Sequence, residues 1–541
     1  MGIMRNGENM RKTETEGYEN TCAIGKVELR EALELLQSYK EAKRRTDERI
    51  WDEMQWWQKR HDIKAAASVS GVRPVSAWLF NSVCNKHADM CDNIPVAKAL
   101  PREMGDEMAA DMLSKILPVI CERCGFEKTY SDNAWYKLRH GMSAWGVFWN
   151  SRLENGLGDI DICRMDVMDI FWDVSVADIQ DSRGLFIISA DTAEGVRSAY
   201  PHFKGEYRDG ERGDRVEVID WYYKRRMPDG RSLLHYAKIC GDELLYSSEN
   251  DPMFADRGWY EHGMYPVVLD VLFPDVSGST GYGFLAVGRN PQGYIDELDG
   301  NILEYANTVS RARYWAKRSL GINERDFLNP DKRIIEVEGD IDDEKLRQIK
   351  VEPIDSTLTS IRTMKIDELK ETTGNRDVSQ GSTSGGVTAA SAIVALQESG
   401  NKGSRDVIMG TYRAYVSVIT LVIELIREFY DGERCFRICG DGSKANPYQY
   451  LNYTNRDLKT VTVGVGADGE ALYYRPVFDI EVKAERRDPL TQSARNQLIL
   501  QLYEAGMFDP ENSAAASVAL ECMDFDGIDA ARAMVRTGVQ V

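Results

Sequence analysis

Three short stretches of this chain have residue types and spacing that could do chemistry. Gly464-Val-Gly-Ala-Asp-Gly469 fits G-x-G-x-x-G, the pattern of a loop that cradles a dinucleotide pyrophosphate. That chemistry needs a helix opening directly after the loop, because the helix N-terminus meets the phosphates. Here apolar, strand-forming residues stand on both sides, up to Val463 and from Ala471 to Val477, so Ala467-Asp468-Gly469 reads as a hairpin turn. Gly381-Ser-Thr-Ser-Gly-Gly-Val-Thr388 has the spacing of a phosphate loop, but Val387 stands where the lysine for the terminal phosphates belongs. It also lacks an apolar strand before it, which weighs against ATP hydrolysis.

Cys121-Glu-Arg-Cys124 is the third stretch, with Cys435 and Cys439 as a conceivable second pair. Structural zinc normally takes two closely spaced pairs, and a four-residue step suits neither a zinc knuckle nor a catalytic zinc helix. Buried thiols are the ordinary reading and zinc the alternative; no cofactor and no metal are expected. All six histidines precede residue 263, none is spaced with another as a ligand pair, and no nucleophile motif accompanies them. Catalytic residues are therefore not expected.

The elements that must carry these stretches suggest a different purpose. Ile295, Leu298, Ile302, Tyr305, Val309, Ala312 and Ala316 recur at alternating three- and four-residue steps, setting one narrow apolar stripe on one helix face. Asp296, Glu297, Asp299 and Glu304 lie early and Arg311, Arg313, Lys317 and Arg318 late, matching the helix macrodipole. Pro291 suits the first helical position and Gly321 a stop, giving about 28 residues or roughly 42 Å. A second helix over Leu358–Thr373 ends at Gly374. Between them, Arg333–Val337 reads as a strand and Ile341–Ile349 as a short helix, a small α/β module at the tip of a helical hairpin. Asn375–Gly386 is a Gly, Ser, Thr and Asn loop that cannot bury a core. A small-residue helix over Val387–Glu398 follows it.

Elsewhere, Leu29, Leu33, Leu36 and Tyr39 mark an amphipathic helix that continues through Trp51, Trp56 and Trp57, and helices are expected to dominate as far as Phe148. Strands recur at Val216–Tyr223 and Leu233–Leu245. Ser404–Tyr430 is a long amphipathic helix with Ser404 as its cap, a hairpin spans Val461–Asp479, and the tail from Pro489 is helical. The fold class is α+β. With 541 residues, two or more domains are expected. A net charge of −20 and a pI near 5.0 oppose tight nucleic-acid binding, which needs a surplus of lysine and arginine. Ten scattered cysteines argue against a disulfide scaffold. No apolar run reaches the roughly 20 residues of a membrane span, and the most apolar stretch, Tyr415–Ile426, reads as a buried helix. The first residues lack the apolar core of a signal peptide, so a cytosolic chain is expected.

This order of segments resembles the portal proteins of tailed bacteriophages. The resemblance is also local: Asp166-Val-Met-Asp-Ile-Phe-Trp-Asp173 followed by Ala177-Asp-Ile-Gln-Asp-Ser182, the run Gly386–Gly400, and Ala484-Glu-Arg-Arg-Asp-Pro-Leu-Thr-Gln492 look like segments of that family. Together they span about Leu29 to Phe508. Val174 departs from it, since many relatives carry proline there. The resemblance implies a wing over 1–290, a helical-hairpin stem over 291–318 and 358–373, a small α/β clip over 319–357, a tunnel loop over 374–390, a return to the wing over 391–483 and a helical crown over 484–541.

It further implies a homo-oligomer, a dodecameric ring at the capsid vertex of the virion, through which double-stranded DNA is packaged and ejected. Terminase large subunit and then a head–tail adaptor would dock on it, with major capsid and scaffolding proteins around it and no membrane. The stem residues would be Ile295, Leu298, Ile302, Tyr305, Val309, Ala312, Arg362 and Lys365. The tunnel loop would present Asn375, Arg376, Ser379, Gln380, Gly381, Ser382, Thr383, Ser384, Gly385 and Gly386. Docking on the clip would use Arg325, Lys332 and Arg333 against Asp342, Asp343 and Glu344. The basic residues from Arg362 to Lys370, with Arg376, are the candidates to touch phosphates, or else they solvate a helix face. The competing readings are a cytosolic nucleotide- or zinc-dependent nucleic-acid enzyme and a filament or shell subunit.

Overall fold

A computed structural model describes residues 24–61, 75–203, 215–226, 232–276, 278–310, 354–374, 402–439, 448–465 and 471–486, with 314–316, 325, 346–348, 501 and 504–506. These residues form two compact units, the first from residues up to His87 with Ser131–Asp431, the second from Ala88–Tyr130 with the chain from Gly432. The second unit thus takes 88–130 out of the expected N-terminal segment and joins it to residues far along the chain.

In the first unit, helix α1 (Lys26–His61) turns Leu29, Ala32, Leu36 and Tyr39 inward at three- and four-residue steps, as the sequence pattern requires. Leu33, expected on that face, packs at its margin. The stripe lies on an antiparallel sheet in the order β4-β5-β6-β7-β8 (Ile170–Trp172, Gly184–Thr192, Arg215–Arg226, Ser232–Cys240, Glu243–Ser247). Phe186 and Trp221 are direct cross-strand partners whose rings stack at 5.9 Å, and Trp221 stacks in turn on Tyr223 at 4.1 Å. Aromatic pairs of this kind stabilise a sheet beyond the area they bury. A three-stranded sheet, β3-β2-β9 (Asp159–Met165, Met142–Asn150, Val267–Val271), and the two-residue pair β10 and β11 (Phe273–Pro274, Gly281–Tyr282) belong to this unit as well. β5 runs into the short helix α5 (Ala193–Ala199), whose Gly195 amide donates to Thr192 Oγ1 at 3.1 Å.

Helix α2 (Trp78–Cys91) and helix α4 (Phe126–His140) precede β2. Among the described residues helices dominate as far as Phe148, as expected, although the segment ends in β2, whose first eight residues are all buried: a run buried on both faces shows no two-residue period, so periodicity cannot separate it from helix. Helix α8 (Lys402–Phe429) buries Val418, Ile419, Val422, Leu425 and Ile426 and packs on β2, β9 and β3. Over Gly403–Phe429 it is long and apolar enough to cross a membrane by composition, which corrects the count of apolar runs, yet half of that window is buried inside the protein. Ser404 lies within this helix and not at its cap.

In the second unit, β1 (Asn93–Pro101) pairs antiparallel with β18 (Phe478–Arg486) over its whole length, and helix α3 (Glu107–Arg123) lays Leu113, Ile116, Leu117 and Ile120 against β1 and β14 (Arg434–Cys439). β14 forms a hairpin with β15 (Tyr448–Tyr453), and β16 (Val461–Val465) pairs with β17 (Ala471–Tyr474). The first three residues of the expected crown segment therefore still belong to a strand, because β18 keeps pairing through Arg486 with Asn93. Among the described residues the protein is a mixed helix and sheet structure, in agreement with the α+β expectation.

Candidate functional site

Two of the three stretches with chemical spacing have described surroundings. Gly464 and Val465 belong to β16, and the next described residues form β17, its antiparallel partner, so no helix opens after this glycine pattern. Cys121 is buried in the last turn of α3 and Cys124 caps that helix, while between them Arg123 donates to the Cys435 carbonyl at 3.0 Å and lies over the Phe436 ring. Among the described residues no group of His, Cys, Asp and Glu could hold a metal ion. Gly381–Thr388 lies outside the described residues.

What remains is the helical hairpin. Its first arm, α6, runs Phe284–Ser310, seven residues earlier at its start than expected and eight shorter at its end than Arg318. Pro291 sits inside it: the turn before it is held by Phe284 and Leu285, both buried, which offsets the one backbone hydrogen bond that proline removes. Gly288 lets α2 approach so closely that a Cβ there would lie 2.5 Å from Leu79. At the far end, Tyr314–Ala316 is a strand, β12, paired antiparallel with β13 (Leu346–Gln348), where a helix was expected at both places. Pairing across the insert overrides the local helical pattern, and the aromatic pair Tyr314-Trp315 favours the extended form. The second arm, α7, spans Ser356–Thr373; Asp355 caps it, accepting from the Thr357 amide at 2.9 Å, and Gly374 closes it in the left-handed region at φ +66°.

The two arms pack on each other, buried at one end and open at the other. On α6 the expected stripe begins with fully buried Ile295, continues through half-buried Leu298, Ile302 and Tyr305, and reaches Val309, which is 47% exposed. On α7, Ile366, Leu369 and Thr373 are buried while Ile361 and Met364 face outward. Charges between the arms are matched. Arg362 forms a two-pronged ion pair with Asp299, its second contact at 3.4 Å, and this hydrogen bonding pushes the guanidinium above its ordinary range. Lys365 pairs with Glu368 at 2.6 Å and lies over the Tyr294 ring, and Lys370 lies over Trp78. Arg362, Lys365 and Lys370 thus have partners within one protomer, while Arg376, the remaining candidate to touch phosphate, lies outside the described residues.

The base of the hairpin rests on α2. Gln292, fully buried on α6, accepts from the Leu79 amide at 2.9 Å, so it caps α2 from another element, and its own amide donates to Ser76 Oγ at 2.8 Å. Asp296 accepts from the Ser76 amide at 3.1 Å. No local signal could have found Gln292, Asp296 or the Asp299 partner of Arg362, since more than sixty residues separate each from its mate. Of the docking candidates, Arg325 is helical and exposed. Lys332, Arg333, Asp342, Asp343 and Glu344 lie outside the described residues, as do Ala312 and the whole loop Asn375, Arg376, Ser379, Gln380, Gly381, Ser382, Thr383, Ser384, Gly385 and Gly386.

No curated protein matches the chain. The sequence model of the phage P22-like portal protein family matches residues 38–266 and 308–541, which takes in the sheet-bearing first part, the insert and second arm of the hairpin, and everything after them. With most of its length so matched, the chain belongs to the phage P22-like portal protein family, a structural and non-enzymatic component of the phage.

Proposed function

We propose that copies of this chain stand side by side in a twelvefold ring at the capsid vertex and enclose the channel through which double-stranded DNA is packaged and ejected. The observation that carries this reading is the hairpin itself: its base is fixed by buried bonds, while the apolar stripe from Leu298 to Val309 leaves its protomer half covered. A neighbouring copy would cover it. Residues 319–357 would be the clip that docks terminase and later the adaptor. Residues 374–390 would form the tunnel loop and the chain from 484 the crown.

Charge supports passage without capture. Duplex DNA carries about one negative charge per 1.7 Å, so an arm of this length faces tens of phosphates. A chain of net charge −20 whose Arg362 and Lys365 are paired within the protomer offers them few sticking points. The test is electron microscopy and light scattering on purified protein, with DNA affinity measured at physiological salt. Closed rings with weak, salt-sensitive DNA binding are the expected result; a protein that stays monomeric at high concentration would end the proposal.

A further inference from the structure

Helix α2 meets three other elements with one face. Leu79, Ser82 and Lys86 follow at three- and four-residue steps and so project from the same side. The Leu79 amide goes to Gln292 on α6, and Thr373 on α7 donates to Ser82 Oγ at 3.1 Å. Lys86, 5% exposed, donates from its ammonium to the Gly374 carbonyl at 3.4 Å and to Ser404 Oγ at 2.7 Å. Gly374 ends α7 and Ser404 lies in the first turn of α8, so a single charged group holds two helix ends that residues 375–401 separate in sequence.

The acceptor on α8 belongs to a file. Ser404, the Val407 carbonyl and Thr411 line one face at three- and four-residue steps, and two buried lysines point into it. Lys86 takes the first position. Lys137 takes the other two, at 3.4 and 2.7 Å, and pairs with Asp270 at 2.6 Å. A buried ammonium is stable only where its donors are met, so each lysine dictates the placement of the groups around it. Sliding α8 by one turn would break its contacts with both.

We propose that Lys86 is a positioning residue that clamps the end of the hairpin's second arm to the start of the core helix, so that α7 and α8 move as one body. Motion of the hairpin then reaches β9 and α4 through Thr411 and the Lys137–Asp270 pair. The clamp itself is independent of the channel reading; only its consequence for DNA passage rests on that reading.

Hydrogen exchange on the assembled full chain tests it. With Lys86→Met, amide exchange in the last turn of α7 and the first turn of α8 rises about tenfold, the loss expected when a charged hydrogen-bond donor is removed. Amides of Val418–Ile426 keep their protection, which a general loss of stability would not allow. Unchanged exchange at the two helix ends overturns the clamp. If Lys86→Met does not fold, Ser404→Ala removes one acceptor and leaves the lysine; exchange then rises in α8 and, through the shared ammonium, at the end of α7. A rise confined to α8 overturns the coupling. Genome packaging by the same variants is read separately: loosened ends with normal packaging leave the clamp standing and remove its part in the channel.

Discussion

At the scale of single residues, burial decides which charges matter. Glu428, in the last turn of α8, has one carboxylate oxygen out of solvent with no hydrogen-bond partner, and its other oxygen accepts from the Glu261 amide at 3.1 Å. Burial, reinforced by the Glu261 and Glu424 carboxylates, pushes its pKa up to about 7, from an ordinary 4.5, against the pull of Arg257. The folded protein therefore holds this proton more tightly than the unfolded chain does. The stability it contributes is full below 4.5 and is lost as pH rises through 7. Glu428→Gln is expected to raise the melting temperature at pH 8, by a gain of about 1–3 kcal/mol, and to change little at pH 4.5. A pH-melting profile identical to the parent would refute the assignment. Lys137 and Asp270 are 1% and 3% exposed, so Lys137→Met leaves a buried carboxylate with only Thr411 to meet it. A cost of about 3–5 kcal/mol is expected in denaturant unfolding, most of it recovered in Lys137→Met/Asp270→Leu.

At the scale of elements, α7 was legible from its residues because its stop is a local, steric signal. Gly374 adopts φ +66°, which costs a β-carbon strain, and Gly374→Ala is expected to lower stability by about 1 kcal/mol by thermal melting. The extent of α6 was not legible. Its start is set by the burial of Phe284 and Leu285 and by the close seat of α2 on Gly288, and its end by the pairing of Tyr314–Ala316 with Leu346–Gln348. None of these contacts is near in sequence. The Arg362–Asp299 pair joins the arms at a partly exposed place, so Arg362→Ala should cost no more than about 1 kcal/mol. DNA affinity at physiological salt should not change with it; a clear fall would assign that guanidinium to phosphate.

At the scale of the whole molecule, the two units and the half-covered hairpin are what an assembling subunit needs. Val309→Asp is expected to leave protomer unfolding within about 0.5 kcal/mol of the parent, because the side chain is already 47% exposed. Rings should be lost in the same variant, as seen by light scattering. Intact rings would place the subunit contact elsewhere. The grouping of 88–130 with the chain from 432 could not be foreseen, since it rests on Asn93–Pro101 pairing with Phe478–Arg486 across almost four hundred residues.

Taken alone, the amino-acid order settled whatever depends on near neighbours: the inward stripe of α1, the stop at Gly374, the paired strands flanking the 464–469 glycines, the long apolar helix near residue 415 and the mixed fold class. It also carried the family resemblance in short runs such as Asp166–Asp173. Folding decided the rest, namely which cations are already paired, where Pro291 is tolerated, and which lysine joins α7 to α8. Those outcomes turn on groups brought within about 3 Å from far along the chain, and a hydrogen bond carries no trace of itself in the spacing of either partner.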